Sequence, residues 1–376
     1  MTTDPQHSPD EALMARARSL AASVRRTTAP NPWVGAMVVA DGEVVGEGAT
    51  APPGGPHAEV AALAAAGDRA RGATVAVTLE PCAHHGRTPP CADALVAAGV
   101  ARVLVGVEDP DPRVAGQGIA RLRAAGIEVV VGVGAGAVAE QLAPYLHHRR
   151  TGRAYCLVKT ALSVDGRVAA ADGSSQWITG PEARADAHGL RADSQAVVVG
   201  SGTALADRPA LTVRDVAPPP VPPLRVLLDG AGRVPADGPL FDVSLAPTLV
   251  VTTEAAPGAV VDAWRAAGAK VEVVAPVPGV RRGVDLGATL ALLGDHGVLQ
   301  AMVEGGSHLH GALVAEGLAD HLVTYVGGVT LGTDGLAGLA WPGPPTIAAA
   351  PRWRLRGVRV LGDDVRIDRS PVGWEA

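Results

Sequence analysis

Short apolar segments typical of strands alternate with helix-like segments along almost the whole chain, and this alternation stops once and then restarts. The interruption is the basic stretch from His147 to Arg153, which shows no clear periodicity, and the alternation resumes at Ala154. Alternating strands and helices predict layered α/β sheets. A length of 376 residues exceeds one ordinary domain. The sequence therefore predicts two α/β domains, residues 1–148 and 153–376.

The first predicted domain begins with a helix and a hairpin. Asp41-Gly42 is a dipeptide that tight hairpin turns favour. The predicted helices are Glu11–Ala22, His57–Ala66, Ala92–Ala98 and a segment around Ile119–Ala125, and the predicted strands are Trp33–Ala40, Glu43–Gly48, Thr74–Leu79, Val103–Val107 and Glu128–Val133. In the second domain, strands are predicted at Ala154–Ala161, Ala196–Val199, Arg225–Leu228, Thr248–Val251, Gln300–Val303 and Leu322–Val326.

The charge balance and the hydropathy pattern exclude two classes of partner. A formal net charge of −6 argues against DNA or RNA, because binding to a polyanion needs many Lys and Arg contacts. No run of about 18 apolar residues is present, and the first ten residues are polar. We therefore expect a cytoplasmic protein that binds neither nucleic acid nor a membrane.

Four side chains in three separate segments form a pattern typical of catalytic zinc. His57 and Glu59 are two residues apart at the start of a predicted helix, and Cys82 and Cys91 lie near the starts of further helical segments. Helix N-termini favour thiolates, and three protein ligands with one open position are typical of catalytic zinc. We expect His57, Cys82 and Cys91 to bind Zn²⁺, which would lower the pKa of bound water to about 7. Glu59 would then carry protons.

Other interpretations of these residues remain. The site could be a closed structural zinc site with His84 or His85 as a fourth ligand, or the cysteines could be core residues; both leave Glu59 without a role. A zinc-stabilised binding protein without turnover is an alternative from a different class, and it predicts four protein ligands.

The segments around these ligands resemble a known enzyme family. The general zinc deaminase signature places two residues between the cysteines, whereas eight separate Cys82 from Cys91. The segment from Glu80 to Cys91, with the sequence EPCAHHGRTPPC, resembles the extended zinc motif of the riboflavin-pathway pyrimidine deaminases. NPWVG at 31–35 and PHAEV at 56–60 resemble the other two blocks of that family. The resemblance implies a cytidine-deaminase-like three-layer domain whose substrate is a GTP-derived diamino-ribosylamino-pyrimidinone phosphate.

If the substrate is phosphorylated, residues between and before the two cysteines could bind it. Arg87 could pair with the phosphate, and His84 or His85 could hydrogen-bond it, although a solvated loop is an equal alternative for the histidines. Asn31, between two prolines, could contact the ribose or the base edge, or could be an ordinary turn residue.

A lysine within an apolar strand is the first unusual feature of the second domain. Lys159 is one of two lysines in the chain and follows four consecutive apolar or aromatic residues. A buried ammonium needs a polar partner, so Lys159 either extends to a strand end or points into a pocket. We favour the pocket, where it would act as a catalytic group.

Three further segments resemble the riboflavin-pathway reductases, which have a dihydrofolate-reductase-like fold and use NADPH. They are SSQWITG at 174–180, Gly200–Arg214, and VEGGS at 303–307, where a strand leads into a helix whose amides could receive a phosphate. The resemblance implies cofactor contacts at Ala161, Trp177, Thr203, Asp207, Gly306, Ser307, His308, Leu309, His310, Gly311 and Ala312. It implies substrate contacts at Ser175, Arg191, Leu211, Arg214 and Glu304.

Two positions depart from the reductase pattern. Gly230 stands where relatives often have a serine after Asp229, and Arg208 replaces a common aspartate. The full pattern predicts a bifunctional riboflavin-biosynthesis enzyme that deaminates a pyrimidine phosphate and then reduces its ribosyl chain, and that assembles as a homo-oligomer. The alternative is a deaminase whose second domain binds a nucleotide without reducing it.

Overall fold

A computed structural model describes residues 8–84, 89–277 and 283–373 of the chain. The chain divides into two compact units, and the division falls between Gly152 and Arg153. Within the described ranges, no helix is both long enough and apolar enough to cross a membrane.

The first unit has a five-stranded mixed sheet. Its strands are β1 (Gly35–Ala40), β2 (Glu43–Ala49), β3 (Thr74–Leu79), β4 (Arg102–Val107) and β5 (Glu128–Val131). They lie in the order β2-β1-β3-β4-β5. The hairpin β1-β2 turns at Asp41 and Gly42, which both have positive φ, as the Asp-Gly sequence predicts. Strand β1 pairs antiparallel with β3, whereas β3, β4 and β5 are parallel.

Helices cover this sheet in two groups and make a three-layer unit. The helices are α1 (Pro9–Ser23), α2 (Ala58–Ala66), α3 (Cys91–Ala98), α4 (Gln117–Ala124) and α5 (Ala135–Thr151). Helices α1 and α5 pack together and against the central strands, while α2, α3 and α4 pack in succession. The apolar core includes the fully buried Trp33, Met37, Leu95 and Leu104.

Two glycines in β2 allow α2 to approach the sheet closely. A Cβ atom at Gly46 would lie 2.2 Å from the carbonyl oxygen of Ala62, and one at Gly48 would lie 2.2 Å from that of Ala58. Both distances are shorter than any real carbon–oxygen contact. The absence of side chains at these positions therefore sets the depth of α2 against β2.

The basic stretch at the end of this unit is helical, which corrects its interpretation as a non-periodic connection. Helix α5 continues to Thr151 and carries His148, Arg149 and Arg150 in its last turn. Positive side chains there complement the negative end of the helix dipole. Leu142 and Leu146 are buried and attach the same helix to the core. The last turn, residues 148–151, is entirely polar, so the sequence alone gives no apolar periodicity there.

The second unit has a nine-stranded sheet and a separate two-stranded ribbon. Its strands are β6 (Tyr155–Ser163), β7 (Arg167–Ala169), β8 (Ala196–Gly200), β9 (Leu224–Leu228), β10 (Thr248–Thr252), β11 (Lys270–Val273), β12 (Gln300–Val303), β13 (His321–Gly327), β14 (Leu336–Ala337), β15 (Trp353–Leu361) and β16 (Asp364–Pro371). The large sheet has the order β11-β10-β9-β8-β12-β6-β13-β16-β15, and β7 pairs with β14. The first seven strands of this order are mutually parallel, whereas β16 is antiparallel to β13 and β15 is antiparallel to β16.

The described residues of the second unit form five α-helices: α6 (Pro181–Ala192), α7 (Ser201–Asp207), α8 (Gly258–Ala266), α9 (Leu286–Asp295) and α10 (Ser307–Ala315). The predicted helix after the VEGGS segment is α10. The parallel strands are nearly continuous runs of Val, Leu and Ala because helices bury both faces of such a sheet. In open sheets of this kind, ligands bind at the carboxyl edge of the parallel strands.

Candidate active sites

Three elements of the first unit bring the predicted metal ligands together. His57 is the residue immediately before α2, Cys91 is the first residue of α3, and Cys82 lies in the loop after β3. The donor atoms of the three side chains all lie within 4.8 Å of one another. His57 Nδ1 is 3.2 Å from Cys91 Sγ and 3.7 Å from Cys82 Sγ. Two thiols and one imidazole at this spacing fit a tetrahedral zinc ion with one open position.

The two thiol groups are joined by a hydrogen bond that affects them in opposite ways. Cys91 donates to Cys82, which lowers the pKa of Cys82 and raises that of Cys91, although burial opposes the change at Cys82. The backbone N–H of Cys91, at the start of α3, donates to Cys82 Sγ at 3.3 Å. Both hydrogen bonds favour the thiolate form of Cys82, which is the form that binds metals.

Glu59 lies beside this cluster on the first turn of α2. Its side chain is buried, with 4% of the residue exposed. Burial raises the pKa of Glu59 to about 7. A carboxyl group with that pKa can both accept and release a proton near neutral pH, which suits a general acid and base.

The cluster opens into a cavity of about 420 Å³. Asn31, His57, Glu59, Cys82 and His84 all line it. His84 is not among the clustered donor atoms, so the described residues supply three ligands. Arg87 and His85 lie outside the described residues.

The opposite wall of this cavity contains residues that the sequence interpretation missed. Asp109, Asp111 and Arg113 come from the loop after β4, and Tyr145 and Arg149 come from α5. Tyr145 Oη donates to Asp109 Oδ2 at 2.9 Å, and Arg113 Nη2 donates to Asp111 Oδ2 at 2.7 Å. The signal that could have identified the loop is Asp109-Pro110-Asp111-Pro112, directly after a predicted strand.

The carboxylate of Glu80 fixes the backbone of the loop after β4, which forms this wall. This carboxylate accepts hydrogen bonds from the backbone N–H groups of Asp109, Gly116, Gly118 and Ile119, at 2.9 to 3.2 Å. A single buried side chain therefore connects the zinc segment to the loop after β4 and to the start of α4.

A second cavity, of about 880 Å³, lies in the second unit. It is at the carboxyl edge of the parallel strands, where ligands bind in such sheets. The predicted residues that line it are Lys159, Ala161, Ser175, Trp177, Arg191, Thr203, Asp207, Glu304, Gly306, Ser307, His308, Leu309, His310 and Ala312.

A buried ion pair lies in the wall of this cavity. Arg191 donates to both carboxylate oxygens of Glu304, with Nη2 to Oε2 at 2.8 Å, and its Nη1 donates to the carbonyl oxygen of Thr212 at 2.8 Å. Burial opposes the ionisation of Glu304, but the charge and hydrogen bonds of Arg191, with the charge of Lys159, lower its pKa to about 2.

Lys159 points into this cavity and not to a strand end. Its Nζ lies 5.8 Å from the ring centroid of Tyr325 on the neighbouring strand. Burial lowers the pKa of Lys159, although the charge of Glu304 acts in the opposite direction. A lowered pKa makes the ammonium group a better proton donor than an exposed lysine.

Three predicted ligand residues do not line the cavity. Leu211 is buried in the core that also contains Ala204 and Leu227. The backbone N–H of Arg214 donates to His188 Nδ1 at 3.2 Å. A Cβ atom at Gly311 would lie 2.5 Å from the carbonyl oxygen of Ala340, so this glycine serves close packing of α10.

Two arginines in the wall were not singled out from the sequence. Arg184 lies over the ring of Trp177, 4.4 Å from its centroid, and Arg233 follows β9. The departure Arg208 lies outside the wall and pairs with Asp237 at 3.0 Å, whereas Gly230 lines the cavity.

Comparisons with known proteins agree with the division of the chain into two units. The family profile of the cytidine and deoxycytidylate deaminase zinc-binding region matches residues 7–107, and that of the RibD C-terminal domain matches residues 154–367. The riboflavin biosynthesis protein RibD of Chlamydia pneumoniae is 43% identical over 367 residues, 96% of each chain. RibD of Escherichia coli K12 is 42% identical, over 95% of this chain and 98% of its own.

Solved structures give the same result. The chain is similar to Acinetobacter baumannii RibD, form 1, with a TM-score of 0.84 and 37% identity over 96% of this chain and 99% of the other. It is also similar to a diaminohydroxyphosphoribosylaminopyrimidine deaminase/5-amino-6-(5-phosphoribosylamino)uracil reductase from Thermotoga maritima, with a TM-score of 0.82 and 31% identity over 96% and 98%. The predicted fold class, a cytidine-deaminase-like unit followed by a reductase unit, is confirmed. The chain belongs to the RibD family of riboflavin biosynthesis proteins.

Proposed function

We propose that the first unit deaminates 2,5-diamino-6-ribosylamino-4(3H)-pyrimidinone 5′-phosphate and that the second reduces the ribosyl chain of the product to a ribityl chain with NADPH. The chain is a bifunctional deaminase and reductase of riboflavin biosynthesis. The observation that carries the substrate proposal is a zinc-type cluster with a buried carboxyl group in one cavity and a lysine beside a buried ion pair in the other. The alternative of a non-reducing second unit is wrong, because residues 154–367 match the RibD C-terminal domain.

In the first reaction, His57, Cys82 and Cys91 would hold zinc. Zinc held by three ligands lowers the pKa of water at its open position to about 7. Glu59 would carry one proton of the attacking water to the ring nitrogen, and would then carry the second, from the hydroxyl group added to the ring carbon, to the amine that departs as ammonia. Burial of Glu59 supports this role because it brings the pKa to about 7.

The remaining residues of the first cavity would orient the substrate. Asn31 offers both a donor and an acceptor for the ribose or the base edge. Arg87 is proposed to pair with the phosphate, and an arginine can make two parallel hydrogen bonds to a phosphate group.

In the second reaction, NADPH held in the second cavity would supply the hydride that reduces the C1′ carbon of the sugar. Lys159 would donate a proton to the ring oxygen as the sugar opens, a role that its lowered pKa supports. Glu304, paired with Arg191, would hold the substrate beside Lys159, together with Ser175. The cofactor would contact the lining residues Ala161, Trp177, Thr203, Asp207 and Ala312 and the segment 306–310.

One experiment tests both reactions. The diaminopyrimidine ribosyl phosphate is supplied to the zinc-loaded chain with and without NADPH, and ammonia and NADPH oxidation are followed together. We expect ammonia in both cases and NADPH oxidation only after ammonia release begins. No ammonia from a zinc-loaded wild-type chain would refute the deaminase proposal.

Two further proposals come from the sequence alone. The chain is proposed to act in the cytoplasm and to assemble as a homo-oligomer, with no nucleic acid or membrane as a partner. Sedimentation of the purified chain across a range of concentrations measures the oligomeric state.

A further inference from the structure

The basic side chains in the wall of the second cavity contact different kinds of groups. Among the described residues, Lys159, Arg184, Arg191 and Arg233 carry ammonium or guanidinium groups into this wall. Arg191 is paired with Glu304, Arg184 lies over Trp177, and Lys159 is buried close to the charge of Glu304. The described contact of the Arg233 guanidinium is a hydrogen bond from Nη2 to Ser201 Oγ, which is a neutral group.

The backbone that carries Arg233 is held on several sides. The carboxylate of Asp229, which is buried, accepts hydrogen bonds from the N–H groups of Ala231 at 3.3 Å and of Arg233 and Val234 at 2.7 Å. Trp264 Nε1 donates to the carbonyl oxygen of Val234 at 2.9 Å. A loop fixed in this way positions its arginine before a ligand arrives, which lowers the entropic cost of binding.

Arg233 is remote from the reacting groups along the sheet. Lys159 is on β6, and Arg233 follows β9, which lies three strands away in the order β9-β8-β12-β6. Neighbouring strands are about 4.8 Å apart, so the strands that carry the two residues are separated by about 14 Å. A dinucleotide whose nicotinamide ring lies near Lys159 extends far enough to bring its adenosine half to the end of β9.

We propose that Arg233, held by Ser201, binds the 2′-phosphate of NADPH and thereby selects NADPH over NADH. This inference rests on the proposed function of the second unit as an NADPH-dependent reductase. An arginine near the adenosine ribose is a common solution for the 2′-phosphate, because a guanidinium group matches phosphate geometry. Gly230, next in the wall, has no side chain that could share this contact, so Arg233 and Ser201 provide it.

The substrate also carries a phosphate group, and Arg233 could in principle bind that one instead. The location favours the cofactor, because Glu304, which pairs with the other proposed substrate residue Arg191, follows β12, the strand next to the one that carries Lys159. If Arg233 binds the cofactor, its loss weakens the binding of NADP⁺; if it binds the substrate phosphate, its loss raises the KM for the substrate instead. The test below distinguishes these two outcomes.

The test measures dissociation constants of NADP⁺, NAD⁺ and 2′,5′-ADP for the zinc-loaded full chain by calorimetry. In Arg233→Ala we expect binding of NADP⁺ and of 2′,5′-ADP to weaken about 10- to 100-fold, the loss of charge-assisted hydrogen bonds to a phosphate. Binding of NAD⁺ should stay within about twofold, because it has no 2′-phosphate. Arg233→Lys should give an intermediate NADP⁺ affinity, since it keeps the charge but not the two-pronged geometry.

Arg265→Ala is the matched control, since Arg265 is an exposed arginine on α8 outside the cavity and should leave all three affinities unchanged. The thermal unfolding midpoint of each variant checks its folding. Equal weakening of NADP⁺ and NAD⁺, or no weakening of either, would overturn the inference. A raised KM for the deaminated substrate with unchanged NADP⁺ affinity would assign Arg233 to the substrate phosphate and also overturn it. If the wild type neither binds NADP⁺ nor oxidises NADPH, the proposed reductase function itself fails.

Discussion

Glu59 combines a charged functional group with an almost completely buried position, and this combination makes its role testable. Glu59→Gln keeps the shape and the hydrogen-bonding capacity of the side chain but cannot take up a proton. We expect zinc content to remain near one ion per chain and ammonia release to fall about 10²- to 10⁴-fold, the usual contribution of a general acid and base. Ammonia release at the wild-type rate from zinc-loaded Glu59→Gln would remove Glu59 from the mechanism.

Glu304 provides a prediction about stability and pH. Its pKa in the folded chain is about 2, below its ordinary value of 4.5. A carboxyl group whose pKa is lowered by folding stabilises the fold above pH 4.5, and this contribution is lost as the pH falls toward 2. We expect the free energy of unfolding of the wild type to lose about 3 kcal/mol from this group over that interval.

The measurement compares denaturant unfolding of the wild type and Glu304→Gln at several pH values. At pH 7 the variant should be less stable by about 3 kcal/mol, because Arg191 is left buried without its counter-charge, and the difference should shrink below pH 4. Glu182→Gln, at an exposed position on α6, is the control and should follow the wild type. A difference between wild type and Glu304→Gln that does not depend on pH would contradict the prediction.

At the scale of elements, the contact between α2 and β2 connects packing to chemistry. A Cβ atom at Gly48 would lie 2.2 Å from the carbonyl oxygen of Ala58, in the first turn of the helix that carries Glu59. Gly48→Ala therefore forces α2 away from the sheet, and such overpacking typically costs about 1–3 kcal/mol. We expect weaker zinc retention and slower ammonia release, measured by metal analysis and ammonia assay, with reduction of the supplied deaminated intermediate unchanged.

Gly136→Ala is the matched control for this substitution. Gly136 lies in α5 with an ordinary φ angle and no neighbouring atom within 4 Å of the added Cβ. Its replacement should leave zinc retention and both activities at the wild-type level. If Gly48→Ala behaves in the same way as Gly136→Ala, the depth of α2 does not control the metal site.

The elements that the sequence predicts well are those with strong local signals. The hairpin at Asp41-Gly42 and the parallel strands with runs of Val and Leu are examples. The end of α5 was misinterpreted because its basic side chains look like a linker, whereas the apolar residues that hold it pack in three dimensions. The hairpin of β15 and β16 was not predicted, because β15 is an edge strand with several exposed apolar residues and no buried face to give a clear pattern.

The contrast between local sequence signals and contacts that depend on tertiary packing also explains which site residues could be predicted. His57, Cys82 and Cys91 have a chemistry that is visible in the sequence because few other roles suit them together. Asp109 and Tyr145 are ordinary residues 36 positions apart, and their hydrogen bond depends on α5 packing against β4. Arg233 was missed because a single arginine after a strand has no distinctive local pattern.

At the scale of the whole molecule, each cavity is lined by described residues of one unit alone. This arrangement predicts that each half-reaction survives the loss of the other. Lys159→Met, which removes the ammonium group from the second cavity, should release ammonia at the wild-type rate without oxidising NADPH. Glu59→Gln should release little ammonia but should still reduce the deaminated intermediate when it is supplied.

A mixture of these two variants tests whether the halves work together across molecules. We expect the mixture to release ammonia at once and to oxidise NADPH after a lag, because the intermediate made by Lys159→Met must diffuse to the intact second cavity of Glu59→Gln. The lag should shorten as the concentration of Glu59→Gln is raised, which a plate assay of NADPH absorbance measures. If both half-reactions work alone but the mixture oxidises no NADPH, the intermediate does not leave the molecule that makes it, and the two cavities are not independent in turnover.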